Sequence, residues 1–338
     1  MEATQNITTL LANLRAGHRR SLALALSLLE SNEIKEGELA QELIDNVYST
    51  VLATPVPTRR IAVSGAPGVG KSSLIESFGL QLVAQGHKVA VLTVDPSSHR
   101  TGGSILADKV RMPRLSSSKQ AFIRPFASRL SLGGVTDSMR DAISVCEYAG
   151  YDTIIIETVG VGQNEIAAAN MVDMFVLLVL PNAGDEMQGI KRGIMEVSDL
   201  LVITKRDLDL KKTRQAQSIY QGAVRFLLPS HEEWETKVLT SSSVEPEGCD
   251  ELLSAVNRFF ADERNAVVSR ARMNQRVQWF DELLKTKVLE RILTAPVLSN
   301  RITDIRSNIQ KGIAHPRHSV NQLLEHLHRT INEQTQNG

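Results

Sequence analysis

The 338-residue sequence has few cysteines, no excess of charge and no long apolar run. Only Cys146 and Cys249 are present, which excludes a disulfide framework and a cysteine zinc site, and both are expected to be packing residues. The 38 Lys and Arg residues balance 38 Asp and Glu residues, whereas nucleic-acid binders normally carry a basic excess. No apolar stretch approaches the ~18 residues that span a bilayer. We therefore expect a folded, soluble protein that binds neither nucleic acid nor membranes.

Apolar residues change their spacing twice along the chain, which divides it into three predicted domains. Residues 1–55 carry Leu, Ala and Glu at helical spacing, which predicts an N-terminal helical extension. Residues 56–264 alternate short apolar runs with helical patterns, which is typical of an α/β fold with a mostly parallel sheet. Residues 265–338 return to a helical pattern and form a predicted C-terminal extension. The predicted strands are Ile61–Val63, Val89–Val94, Thr153–Ile156, Phe175–Leu180, Leu201–Ile203 and Val238–Thr240.

One segment of the N-terminal region imitates the start of a secretory signal, because two arginines precede a Leu-Ala run. Acidic residues follow it without a small-residue cleavage site, and Leu22, Leu26 and Leu29 fall on one helical face. We therefore predict an amphipathic helix here. The sequence starts with an acidic Glu2 and no long Arg- and Ser-rich leader, which favours the bacterial cytoplasm; a processed form in the mitochondrial matrix is the alternative.

A phosphate-binding loop (P-loop) is predicted at residues 65–72, Gly-Ala-Pro-Gly-Val-Gly-Lys-Ser, between a strand and a helical run. Its glycines let backbone N–H groups point at a polyphosphate, Lys71 reaches the β and γ oxygens, and the Ser72 hydroxyl binds Mg²⁺. The alternative is a glycine-rich turn that matches by chance. The strand before it and the helix after it favour nucleoside triphosphate binding. The predicted phosphate contacts are Gly65, Ala66, Pro67, Gly68, Val69, Gly70, Lys71, Ser72 and Ser73.

Three acidic residues are candidates for the γ-phosphate side of such a site. Glu157 ends a predicted strand, where a carboxylate can hold Mg²⁺ through water, and Gly160 behind it can approach a γ-phosphate. Asp95 ends another strand and Asp108 follows in a glycine-containing segment, so either can order Mg²⁺ or the attacking water. The alternatives are an ordinary strand-end acid for Glu157, a turn cap for Asp95 and a solvated helix residue for Asp108.

The segment Thr204-Lys205-Arg206-Asp207 follows a predicted strand and points to guanine. A carboxylate at Asp207 can accept from both N1–H and the N2 amine of guanine, donors that adenine lacks, while the Lys205 stem covers the base. G proteins usually have Asn where this chain has Thr204, and a hydroxyl makes fewer hydrogen bonds than an amide. We therefore predict GTP with weakened affinity. The backbone of Ser241, Ser242 and Ser243 can contact guanine O6, although a serine run is usually a turn.

Taken together, five segments resemble the MeaB/ArgK family of G proteins, the MMAA-like, methylmalonyl-CoA mutase-associated GTPases. The resemblance implies a P-loop GTPase of the SIMIBI type with helical extensions. It also implies a GTPase chaperone that gates adenosylcobalamin delivery to methylmalonyl-CoA mutase, or a related acyl-CoA mutase, and protects it, and a homodimer built on the C-terminal helices. No cobalamin site is identified on this chain. The segments are residues 65–72, Val-Asp-Pro-Ser-Ser at 94–98, Thr-Gly-Gly-Ser-Ile-Leu-Ala-Asp-Lys at 101–109, Glu-Thr-Val-Gly-Val-Gly-Gln at 157–163 and Gly-Asp-Glu-Met-Gln-Gly-Ile-Lys at 184–191.

The resemblance also implies roles for individual residues. Residues 160–163 form a γ-phosphate switch, and the segment 184–191 senses the mutase through Asp185, Gln188 and Lys191, although a solvated charged loop is the alternative. Departures from the family pattern are Thr204, Ser243 in place of a common Ala and Asn164 in place of a common Ser. The catalytic residues it implies are Lys71, Asp95, Asp108, Glu157 and Gln163, and the Mg²⁺ ligands are Ser72, Asp95, Asp108 and Glu157.

Two other functions compete with a GTP-hydrolysing switch. A kinase, the activity once attached to the ArgK name, needs an acceptor pocket and a base, and neither is identifiable in the sequence. A metal-delivery GTPase of the same fold group carries tracts rich in His and Cys, whereas the eight histidines of this chain are mostly scattered.

Overall fold

The computed structural model of the protein describes residues 7–31, 34–54, 57–95, 112–127, 134–158, 164–181, 192–227, 231, 234–245, 248–261, 264–294 and 296–336. The chain divides into two compact units, Met1–Arg276 and Val277–Gly338. The helices of the described ranges are α1 (Ile7–Arg15), α2 (Arg19–Glu30), α3 (Ile34–Ala53), α4 (Lys71–Ala84), α5 (Pro113–Ser116), α6 (Gly134–Tyr148), α7 (Asn164–Ala169), α8 (Arg192–Glu196), α9 (Leu210–Val224), α10 (Asp250–Phe259), α11 (Asn265–Thr294), α12 (Pro296–Gln310) and α13 (Pro316–Gln336).

The first unit is built on one parallel sheet, with seven strands in the described part of the chain and the order β3-β2-β4-β1-β5-β6-β7. Strand β1 lies at its centre, pairing Val63 with Glu157 of β4 and Gly65 with Leu178 of β5. Because all pairs are parallel, the carboxyl ends of the strands meet at one edge. The strands are β1 (Arg59–Gly65), β2 (Val89–Asp95), β3 (Ala121–Ala127), β4 (Thr153–Glu157), β5 (Met174–Val179), β6 (Leu200–Ile203) and β7 (Lys237–Thr240).

The central strands are apolar along their whole length because helices cover both faces of the sheet. One core packs the sheet against α1, α2, α3, α6 and α9. The other packs it against α4 and α10. Successive strand residues alternate between the two cores, with Ile61, Val63 and Ile155 in one and Ala62, Ile154 and Ile156 in the other.

The N-terminal helices are part of the first core. Leu22, Leu26 and Leu29 of α2 are all buried, which confirms the predicted amphipathic helix. Polar contacts fix the same helix to strand β3, since Arg124 donates to the Ala23 carbonyl oxygen at 2.9 Å and to the Glu30 carboxylate. The helix is thus held to the sheet by an apolar face and a charged clamp.

Both cysteines are buried, as the sequence predicts for packing residues. Burial raises the pKa of the Cys146 thiol and that of the Cys249 thiol. Both side chains therefore stay protonated at neutral pH.

The second unit is helical, comprising the later turns of α11 together with α12 and α13. Its apolar residues are largely on the surface: Val277 and Phe280 are each 61% exposed. In the described residues, no helix is both long enough and apolar enough to cross a membrane.

Candidate functional site

The candidate site lies at the carboxyl edge of the sheet, where the segments after β1, β4, β6 and β7 come together. Ligands of parallel α/β proteins bind in the crevice outside these strand ends. Each segment carries residues that the sequence singles out. The site therefore combines a phosphate-binding loop, a hydroxyl–carboxylate pair and a base-binding loop.

The loop between β1 and α4 has the backbone that a phosphate cradle requires. Gly65, Gly68 and Gly70 have φ values of +146°, +80° and +102°, a region that other residues rarely adopt. A Cβ at Gly65 would lie 2.5 Å from the Leu178 carbonyl oxygen of β5, so the loop passes too close to that strand for any side chain. Helix α4 then begins at Lys71, which places its N-terminus at the loop.

Lys71 folds back over the mouth of the loop. Its Nζ donates to the carbonyl oxygens of Gly65 at 2.6 Å and Ala66 at 3.2 Å. These contacts hold the ammonium group where a β/γ-phosphate pair would need a counter-charge. A bound triphosphate can take over these hydrogen bonds without a large movement of the side chain.

Ser72 and Glu157 form the second part of the site. The Ser72 hydroxyl donates to Oε1 of Glu157 at 2.8 Å, and Glu157 is only 8% exposed. This contact follows from the strand register, which places the end of β4 beside β1. A hydroxyl and a carboxylate are the hard oxygen ligands that Mg²⁺ prefers. The pair therefore fits the predicted metal site, with both groups directed at the same point beside the P-loop.

The remaining acidic and switch residues are only partly described. Asp95 is the last residue of β2, two positions beyond the Thr93–Glu157 pair of β2 and β4, so its backbone belongs to the same edge. The other predicted contacts lie outside the described residues: Asp108, Gly160, Gln163, Asp185, Gln188 and Lys191.

Thr204, the departure from the usual base signature, ties three segments together. Its buried Oγ1 donates to the Val69 carbonyl oxygen of the P-loop at 2.7 Å and lies 3.3 Å from the Val179 carbonyl oxygen of β5. Its backbone N–H also donates to Val179 at 2.9 Å. A threonine hydroxyl is therefore sufficient to fix the base loop against the phosphate loop.

Lys205 and Asp207 extend from that anchor. Lys205 has a φ of +56°, the only positive value at a non-glycine residue in the described part, and its Nζ donates to the Gly68 carbonyl oxygen at 2.9 Å. Strained backbone of this kind is common at binding sites. Asp207 is exposed, and its Oδ1 accepts a 2.6 Å hydrogen bond from the Ser242 hydroxyl. Ser242 therefore orients the carboxylate and leaves its second oxygen for a ligand.

The serine run after β7 is held in place by its own backbone. The Ser241 N–H donates to Ile203 at 2.8 Å and the Ser242 N–H to Gly248 at 3.1 Å. The Ser243 carbonyl oxygen accepts from Ser77 of α4. Since the first two amides are engaged within the protein, the Ser243 amide is the better candidate for a contact with guanine O6.

Two acidic residues that the sequence analysis did not select support the site from behind. Glu165 of α7 accepts a 2.9 Å hydrogen bond from Ser64 of β1, and both side chains are buried. Glu76 of α4 accepts from the backbone N–H of Arg114 at 2.7 Å, which fixes the start of α5. In the sequence each looks like an ordinary helix acid, because its partner is distant along the chain.

The structural comparison agrees with this geometry. A crystal structure of a LAO/AO transport system kinase matches with a TM-score of 0.75 and 32% identity, covering 97% of this chain and 99% of that one. The fold and site define a P-loop GTPase of the α/β class with a mostly parallel sheet, which confirms the predicted fold class.

Sequence comparisons place the chain in a family. Residues 22–297 match the family described as methylmalonyl Co-A mutase-associated GTPase MeaB. A putative GTPase of Caulobacter vibrioides is 40% identical, with 94% of this chain and 97% of that protein covered. The mouse methylmalonic aciduria type A homolog, mitochondrial, is 41% identical, with 94% of this chain and 79% of that protein covered. The chain belongs to the MeaB family, and it is a GTPase.

Proposed function

We propose that this GTPase is a GTP-dependent switch that gates adenosylcobalamin delivery to methylmalonyl-CoA mutase, or a related acyl-CoA mutase, and protects that enzyme. The observation that carries the proposal is the coupling of the guanine loop to the phosphate loop through Thr204 and Lys205. A family described as mutase-associated supports the choice of partner. A switch protein needs this arrangement because base recognition and phosphate state must act on the same loops.

The residues of the site divide the work of hydrolysis. Lys71 neutralises charge on the β and γ oxygens, and Ser72 and Glu157 hold Mg²⁺, which supplies further charge neutralisation when bound. Asp95, Asp108 and Gln163 are proposed to position the attacking water and complete the metal shell. Positioning and charge neutralisation supply most of the catalysis in phosphoryl transfer, so no covalent protein intermediate is required.

Partner sensing is assigned to the segment around Asp185, Gln188 and Lys191, within a GTPase domain of residues 56–264. Glycines flank this segment and the γ-phosphate switch at 160–163, which lowers the backbone cost of a rearrangement. GTP and GDP differ at the γ-phosphate. The proposal therefore links the γ-phosphate to the mutase through neighbouring loops at one edge of the sheet.

The test is steady-state hydrolysis of GTP, with ATP as the control, with and without an adenosylcobalamin-dependent methylmalonyl-CoA mutase from the same source. We expect GTP to be preferred and its turnover to rise when the mutase is added. GTP turnover that ignores the mutase would reject the partner. Preference for ATP would reject the guanine assignment and favour the kinase alternative, which the description of the related crystal structure supports.

We further propose that the chain forms a homodimer through its C-terminal helical arm, residues 265–338. The second unit exposes apolar side chains at helical spacing along α11: Val277, Phe280, Leu284 and Val288 are 48% to 61% exposed. A contiguous apolar stripe of this kind marks an interaction surface. A second copy of the chain presents the same stripe, so the two can cover each other.

The dimer is tested by sedimentation velocity of the wild type and the Phe280→Glu variant. We expect twice the 37.2 kDa mass of one chain for the wild type and a single-chain mass for the variant, because a buried unpaired carboxylate is costly. Gln278→Glu adds the same charge at an exposed position two residues away on the helix and is expected to remain dimeric. A monomeric wild type, or a dimeric Phe280→Glu protein, would argue against this interface.

A further inference from the structure

A cavity of about 580 Å³ lies at the opposite edge of the sheet from the nucleotide site. Thr58 and Arg60, at the start of β1, form its floor, whereas the P-loop follows the end of the same strand. Six residues of strand separate the two places, which corresponds to about 20 Å. The rest of the wall comes from α1, the end of α3, the end of α6 and the first turns of α11. The cavity is therefore separate from the GTP site, and its size is in the range of small-molecule sites.

The cavity is rich in arginine. Arg15, Arg60, Arg272 and Arg276 line it, and Glu147 is the one acidic residue in its wall. Two of the four arginines are neutralised by buried acids. Arg60 pairs with Glu147 at 2.7 Å, and Arg272 pairs with Asp173, which lies outside the wall, at 2.6 Å. Burial alone would raise the pKa of Glu147, but Arg60 and Arg272 hold that pKa below its usual range, so the carboxylate stays charged.

The other two arginines keep an uncompensated charge. Arg15 donates to Thr50 at 3.3 Å and its guanidinium lies 5.0 Å from the centre of the Tyr148 ring, contacts that do not neutralise it. Arg276 is exposed at the mouth. In the described part of the chain neither has a carboxylate within ion-pair distance. The paired arginines form a rigid floor, and two positive charges remain above it.

We propose that this cavity binds a small organic dianion, either a phosphate monoester or a dicarboxylate with an apolar body. Arg15 and Arg276 supply the charge and the planar donor groups that suit bidentate binding of phosphate or carboxylate. Val51, Leu52 and Met273, with the Tyr148 ring, provide an apolar wall for the body of the ligand. Thr54 and Ser269 add hydroxyl groups at the wall. Such a ligand would join the N-terminal helices to the first turns of α11 in the first unit.

The test is calorimetric titration of the full-length protein with phenyl phosphate and with phthalate, after saturation with GDP and Mg²⁺. Benzamide serves as a neutral probe of similar size. Because phenyl phosphate could also enter the P-loop, the titrations are repeated on Lys71→Ala protein. We expect at least one dianion to bind with a dissociation constant below about 1 mM in both proteins, and benzamide to bind at least tenfold more weakly. The tighter of the two dianions identifies the anionic group.

Two substitutions locate the binding. Arg276→Gln and Arg15→Gln are each expected to weaken the dianion about tenfold, the usual effect of losing one charge-assisted hydrogen bond. Arg20→Gln, at an exposed arginine of α2 outside the cavity, is the matched control and is expected to bind like the wild type. Melting curves check that each variant is folded. Absence of binding by both dianions, equal binding of benzamide, or affinities that ignore Arg15 and Arg276 would overturn the proposal.

Discussion

Replacing Lys71 by alanine should lower GTP turnover by about two to three orders of magnitude, the usual cost of removing a preorganised electrostatic contact to a transition state. Lys71 Nζ already lies over the loop, within 2.6 Å of the Gly65 carbonyl oxygen, so little reorganisation precedes its contact with phosphate. No other lysine is expected at the β and γ oxygens, because Lys205 is directed to the Gly68 carbonyl oxygen beside the base loop. Release of inorganic phosphate at saturating GTP measures the loss.

The control for Lys71→Ala is Lys119→Ala, an exposed lysine in the turn before β3, at the opposite edge of the sheet. It removes the same charge and is expected to leave turnover unchanged. A melting curve of each variant separates lost chemistry from lost folding. If Lys71→Ala hydrolysed GTP at the wild-type rate, the phosphate-site assignment would be wrong.

Most of the sheet could be predicted because its strands are buried on both faces. Such strands are continuous apolar runs, and β4 and β5 are examples whose every residue is buried. Strand β3 was not predicted, because Arg124 and Pro125 interrupt its apolar run. Both residues are explained by position: β3 is the edge strand, where a proline is tolerated, and Arg124 binds α2.

The candidate site divides in the same way between local and distant information. The P-loop lies within eight consecutive residues, so its backbone requirements are visible in the sequence. The sequence also indicates that a Thr204 hydroxyl can tie loops together, although its Val69 partner depends on how β1 and β6 are placed in the sheet. The Ser64–Glu165 contact could not be predicted, since 101 residues separate the two and neither belongs to a recognisable pattern.

The Asp207→Asn variant is expected to exchange guanine for xanthine. In the wild type the carboxylate accepts from N1–H and the N2 amine of guanine, while Ser242 holds its Oδ1 at 2.6 Å. An asparagine side chain presents one donor and one acceptor, which suits the 2-oxo group and N1–H of xanthine and leaves a guanine donor without an acceptor. Sites built on such hydrogen bonds reject the mismatched ligand strongly, so kcat/KM for GTP should fall at least ~100-fold. Hydrolysis of GTP and xanthosine triphosphate is measured side by side.

Asp209→Asn is the matched control for this exchange. Asp209 lies two residues further along the same loop, and its side chain accepts from the Lys212 N–H as the N-cap of α9. Asparagine caps helices about as well as aspartate, so the substitution removes the same charge while keeping the local structure. Asp209→Asn should therefore retain the preference for GTP. An Asp207→Asn protein that still prefers GTP would show that another group reads the base, and the Ser243 amide would be the next position to examine.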